Sequence, residues 1–277
     1  MHYVQFNGFE ITVDLNESPY GKYIWDNVTN GKYEPDTFAF LAKNLNPDTI
    51  LIDIGASDGP VTFFAASLGA KVIAYEPMPK IFSSLQKNLE LNKVFSDSAI
   101  IKNSAVSNRK SQIMLARNSD TAILSPIVFT HQANKDSMIN VESIVDVIRE
   151  AGRIFPGKQI FLKIDIEGAE WKIFMDHEVI NSFAKNRVTV LAALHPGFHR
   201  PPKKILRGIN RVIWIFWRIE NRRDFKRVFQ LITNQGLISR TNLNVVTDER
   251  QFMNLVDHGC HEWIFDFSLS SENSGRN

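Results

Sequence analysis

Short apolar runs and helix-spaced apolar positions alternate along most of the chain. "TILIDI" (49–54), "KVIAYE" (71–76), "QIFLKIDI" (159–166) and "RVTVLAALH" (187–195) have the length and β-branched content of buried strands. "AIIKNSAV" (99–106) reads as a further strand, and 111–116 as a weaker one. Between them the pattern predicts helices from Pro60 to about Leu68, over 79–92 with Phe82, Leu85 and Leu89 on one face, over 141–151 and over 169–184. This order predicts an α/β, doubly wound fold, a mostly parallel sheet covered by helices on both faces. "LISRTNLNVVT" and "CHEWIFDFS" read as a closing antiparallel pair with no long helix between them. At the other end, "YVQF" and "FEITVDL" flank Asn7-Gly8, a strong hairpin signal. "DTFAFLAKNL" after Pro35 is helical and stops at Asn46-Pro47. The expected organisation is a hairpin and linker (1–32), one α/β domain (33–268) and a disordered tail (269–277).

Composition narrows the class. With 277 residues, 44% of them hydrophobic and 22% charged, the chain suits an ordinary soluble protein. A single cysteine, Cys260, excludes a disulfide scaffold and a thiolate metal cluster, so a reducing, cytoplasmic setting is expected. "MHYVQFNGFE" has neither the basic start nor the apolar run of a secretory signal. No stretch reaches the roughly 18 apolar residues of a spanning helix. Charge is unevenly distributed. Residues 196–227 carry ten Lys/Arg against two Asp/Glu, a net +8, which leaves −6 for the rest of a chain whose total is +2. Within this insertion, "RVIWIFWRI" sets Trp214, Phe216 and Trp217 between Arg211 and Arg218. A helix docked on the core or serving as a lid is one reading. A peripheral membrane or glycolipid contact through 205–219 is another, since aromatic anchors with basic flanks suit a headgroup interface. Nucleic acid is not an expected partner, because no recognition motif accompanies the charge.

The most informative stretch is "LIDIGASDGP" (51–60), where Asp53 interrupts an apolar strand just before a glycine turn. In open α/β sheets, ligands sit beyond the carboxyl ends of the strands. Gly55 and Gly59 allow a sharp turn and close approach, and Pro60 suits the first helical position. A dinucleotide site needs G-x-G-x-x-G to rest a pyrophosphate on the helix start. Here the spacing is G-x-x-x-G, and Asp53 and Asp58 would oppose a pyrophosphate electrostatically. A cofactor with a cationic amino-acid end, such as S-adenosyl-L-methionine, reverses that argument. Glu76, ending the second strand, can accept ribose hydroxyls in either class. In a purely structural reading, Asp53 caps its own loop.

The segments "YEPDTFAFLAKNLNPDTILIDIGASDG", "VIAYEPMPKIFSSLQKNLELN", "NSAVSN" and "FLKIDIEGAEWKIF" resemble the FkbM family of S-adenosylmethionine-dependent methyltransferases, in that family's order. The resemblance implies a class I methyltransferase fold, with a seven-stranded, mostly parallel sheet and an antiparallel final strand. It also implies methyl transfer, usually to an oxygen of a sugar or of a small or lipid-linked metabolite, so a small-molecule or glycan acceptor is the expected partner. Carried over by position, the cofactor loop is Asp53, Gly55, Ala56, Ser57 and Gly59. Glu76 is the ribose carboxylate beside Pro77, and Ser104 and Ala105 form the adenine-side wall. The chain departs from the family pattern at Ile144-Val145-Asp146 and at Ala193. Two other readings stay open: a nicotinamide oxidoreductase, and a cofactor-binding protein without methyl transfer.

Methyl transfer from a sulfonium is an in-line displacement, and a hydroxyl acceptor benefits from a base. Lys163 and Asp165 share one face of an apolar strand, so they are expected to pair. Asp165 and Glu167 could instead orient the acceptor, bind a divalent cation or fix the following helix; no metal site is assigned. His195, at the end of another strand, titrates near neutrality and is the candidate general base. Glu34, beside Pro35, is read as a helix cap or a ligand residue.

Overall fold

The computed structural model describes residues 1–114, 138–166, 170–194, 223–239, 245–257 and 262–268. The described residues up to Ile164 form one compact unit and those from Asp165 onward a second. The first unit starts with the expected hairpin, β1 (His2–Phe6) and β2 (Phe9–Val13), turning at Asn7 and Gly8, both at positive φ. Helices α1 (Gly21–Thr29) and α2 (Pro35–Asn44) follow, then β3 (Thr49–Ile54), α3 (Pro60–Ser67), β4 (Lys71–Tyr75), α4 (Pro79–Leu91) and β5 (Ala99–Lys102). Next come β6 (Ala105–Ser107), β7 (Ser111–Met114), β8 (Met138–Ser143), α5 (Ile144–Ile154) and β9 (Gln159–Ile164). The second unit holds α6 (Glu170–Phe174), α7 (His177–Lys185), β10 (Thr189–Ala193), α8 (223–233), β11 (Leu237–Ser239), α9 (Glu249–Asp257) and β12 (Glu262–Asp266).

Seven strands make the main sheet, in the order β11-β12-β10-β9-β3-β4-β5. β3 pairs in parallel with β4 and β9, and β4 with β5, while β12 runs antiparallel to β10 and β11. The doubly wound, mostly parallel fold with an antiparallel final strand is therefore the one present. β3 is buried at all six positions, as expected of a strand covered on both faces. α3 is buried over seven of its eight residues and packs through Phe63 and Phe64 into a cluster with Phe6, Trp25 and Phe38.

Several boundaries differ from the sequence reading. The segment 21–32 is not a plain linker: α1 buries Ile24 and Trp25. The 99–106 run is two strands in different sheets, because the chain leaves β5 at Asn103 and β6 joins β8 and β7 in a three-stranded sheet. The expected 141–151 helix begins later. Ile139 and Val141 alternate inward on β8, and only after Ser143 do Ile144, Val147, Ile148 and Ala151 take helical spacing. The 169–184 helix is broken: Asp176 caps α7 by accepting from the Glu178 N–H at 3.0 Å. A short helix, α9, lies between the closing strands β11 and β12, where the sequence reading excluded only a long one. Residues 195–222, which hold most of the basic insertion, and 269–277 lie outside the described residues. Among the described residues, no helix is long and apolar enough to cross a membrane.

Candidate functional site

The turn leaving β3 is shaped by its backbone. Gly55 (φ 87), Ser57 (φ 52) and Gly59 (φ 99) all occupy the left-handed region, and Gly55 and Ala56 both donate their N–H to the Tyr75 carbonyl at the end of β4. Gly59 has a second reason to be glycine, since a Cβ there would fall 2.6 Å from Leu85 and 2.8 Å from Phe63. Pro60 then opens α3 at its first position.

Three carboxylates are buried around this turn. Asp53 is fully enclosed, and its Oδ2 accepts from the Thr62 hydroxyl at 2.8 Å. Asp58, also fully enclosed, accepts from the Ser18 hydroxyl at 2.9 Å. Burial pushes its carboxyl up, while Ser84 and Ser18 pull it back. Glu76, 5% exposed, accepts from the Ser57 N–H at 3.0 Å through Oε2 and from the Met78 N–H at 2.8 Å through Oε1. Burial pushes Glu76 up to about 7, and the neighbouring Asp58 and Asp53 push in the same direction against the two backbone donors. Buried Pro77 follows, with its carbonyl and that of Glu76 accepting from the Asn103 side chain at 3.2 and 2.9 Å. Ser104 donates to Glu142 at 2.9 Å, and Ala105 begins β6. The nine residues assigned to the cofactor thus lie on the exit of β3, the exit of β4 and the β5–β6 junction.

The Nζ of Lys163 lies 3.5 Å from Glu34 Oε2, an ion pair in addition to any that the sequence suggests. Glu34 does not cap α2 with its side chain. Asp165 follows the end of β9 and is half-buried, whereas Glu167 and His195 lie outside the described residues. Nearby, the Ile166 N–H is bound by Glu170, which is buried, at 3.0 Å. Among the described residues, no cluster of His, Cys, Asp and Glu could hold a metal ion.

Ser18, Thr62, Ser84 and Asn88 were missed as site-building residues. Asn88 donates to the Asp58 carbonyl at 3.2 Å and accepts from the Asp14 N–H at 2.9 Å, so α4 bridges the turn and the N-terminal segment. The signal was present, because the buried stripe of α4 is Ile81, Ser84, Leu85 and Asn88, a cleaner helical spacing than Phe82, Leu85 and Leu89.

A turn in left-handed backbone surrounded by buried carboxylates has a local charge that favours a cation over a pyrophosphate. The chain is similar to several known proteins. A crystal structure of an FkbM methyltransferase from Methylobacillus flagellatus KT is similar with a TM-score of 0.43 and 14% identity, over 88% of this chain and 60% of that one. The O-methyltransferase from Bacillus cereus in complex with SAH is similar with a TM-score of 0.40 and 13% identity, over 87% and 84% of the two chains. The mouse (Mus musculus) protein-lysine methyltransferase METTL21E is 35% identical over 88 residues, 31% of this chain. The match spans only about a third (34%) of that curated relative's length. The family model described as the methyltransferase FkbM domain matches residues 53–237, from the buried Asp53 to the first residue of β11. With well over half of its length matched, the chain belongs to the FkbM methyltransferase domain family.

Proposed function

We propose that the chain transfers the methyl group of S-adenosyl-L-methionine to a hydroxyl of a sugar, glycan or lipid-linked metabolite. The observation that carries this reading is the set of three buried carboxylates, Asp53, Asp58 and Glu76, around a turn in left-handed backbone. When bound, the cofactor supplies an electrophilic methyl group on a sulfonium. Asp53 and Asp58 act on its cationic end through their field, because both are enclosed. Glu76 spends one lone pair per oxygen on Ser57 and Met78, and the remaining pairs can accept ribose hydroxyls. Ser104 and Ala105, at the β5–β6 junction, suit the adenine side. Asp165, Glu167 and His195 are proposed for the acceptor side, as base or orienting groups.

A second reading, an amine acceptor on a protein, is favoured by the likeness to a protein named as a lysine methyltransferase. Labelled methyl donor incubated with cell extract, with and without the protein, separates the two. Label in carbohydrate or lipid-linked products supports the first and label in protein lysines the second. Bound donor with no transfer to any fraction contradicts both and leaves a cofactor-binding protein.

A further inference from the structure

We propose that Glu34 sets the preference of this site for the charged methyl donor over its neutral demethylated product, by offsetting the ammonium of Lys163. The inference rests on the cofactor reading above and adds a specificity residue to it.

Register carries the first step. β3 and β9 are parallel, and Asp53 stands opposite Lys163, so both side chains leave the same face of the sheet. Thr62, on α3, binds Asp53 and identifies that face. Lys163 is only 4% exposed, and each of the two lies one residue from the carboxyl end of its strand. A buried ammonium beside the acidic turn opposes the binding of a cation there, and in a low-dielectric interior the effect reaches several ångströms.

Glu34 answers that charge at an identifiable backbone cost. It adopts φ 38, ψ 55, left-handed backbone that a residue before proline rarely takes. The side chain does not cap α2. It reaches Lys163 instead, 3.5 Å away. Glu34 adds one negative charge beside the Lys163 ammonium, so its removal leaves the surroundings of the acidic turn one charge less negative. S-adenosyl-L-methionine carries an ammonium, a sulfonium and a carboxylate, whereas S-adenosyl-L-homocysteine has a thioether in place of the sulfonium and no net charge. Removing one negative charge therefore penalises the donor more than the product. Glu34 precedes the residues that the family model matches, 53–237, and lies in the segment whose sequence resembles the family.

The test is titration calorimetry of S-adenosyl-L-methionine and S-adenosyl-L-homocysteine on wild type, E34Q, K163M and the double variant E34Q/K163M. The expected result is a donor-to-product affinity ratio on the order of tenfold lower in E34Q, raised in K163M and returned to about the wild-type value in the double variant. Should E34Q fail to fold, K163M carries the test through its raised ratio. Equal weakening of both ligands in E34Q, or a ratio unmoved in K163M, means that the pair only supports the fold and overturns the proposal. Failure of wild type to bind either ligand overturns the cofactor reading instead.

Discussion

The backbone N–H of Ser57 donates to Oε2 of Glu76 at 3.0 Å, tying the turn after β3 to the exit of β4. Ser57 can aim its N–H there because its φ is 52, in the left-handed region that a non-glycine residue seldom enters. One carboxylate therefore shapes the turn and remains able to accept from a ligand. Its protonation state bears on both roles.

That dependence gives a pH signature. Burial raises Glu76 from 4.5 to about 7, so between those values the native state holds a proton that the unfolded chain has released. The stability contributed by this group is full below about 4.5 and is lost as pH climbs through about 7. Relative to Glu76→Gln, wild type is expected to lose on the order of 3 kcal/mol or less across this window in urea titrations. A constant difference would contradict the assignment.

Gly59→Ala combines two penalties. It places a Cβ at φ 99 and drives it to 2.6 Å from Leu85 and 2.8 Å from Phe63. A loss of about 2–4 kcal/mol is expected from strain and overpacking together. Thermal unfolding checks it; a melting temperature within a degree or so of wild type would show that the turn relaxes freely.

The N-terminal hairpin is fastened to α4 by two asparagines. Asn92 accepts from the Thr12 N–H at 2.9 Å and donates to the Thr12 carbonyl at 2.7 Å, completing a strand-like pairing with a side chain. Asn92→Ala should cost about 1–3 kcal/mol and expose the segment before residue 20 to proteolysis first. Cleavage at the same rate and sites as wild type would rule out this fastening role.

Thr62→Val removes the hydroxyl that Asp53 accepts from while keeping the volume. The buried carboxylate makes this swap costly, about 1–3 kcal/mol, though the side chains are nearly isosteric. Equal stability of the two proteins would mean that the Thr62 hydroxyl does not hold Asp53 in place.

The turn and its strand were legible because their signals are local. A carboxylate in an apolar run, glycines at fixed offsets and Pro60 at a helix start all lie within ten residues. Glu76 was legible for the same reason, at the end of a strand before proline. What escaped reading depends on partners distant in sequence. α1 has no side-chain cap, and its Trp25 is buried against Phe63. The 99–106 run breaks because Asn103 turns to the carbonyls of Glu76 and Pro77. Lys163 pairs with Glu34, which precedes it by more than a hundred residues. Ser18 and Asn88 look like ordinary polar residues until Asp58 is placed between them.

The central claim is that the turn after β3 receives a cationic methyl donor, and calorimetry with two cofactors tests it most directly. Wild type is expected to bind S-adenosyl-L-methionine saturably and NAD not at all, with donor binding weakened at least tenfold in folded Asp53→Asn and Glu76→Ala variants. Donor affinity undiminished in both variants, or tighter binding of NAD than of the methyl donor, would contradict it.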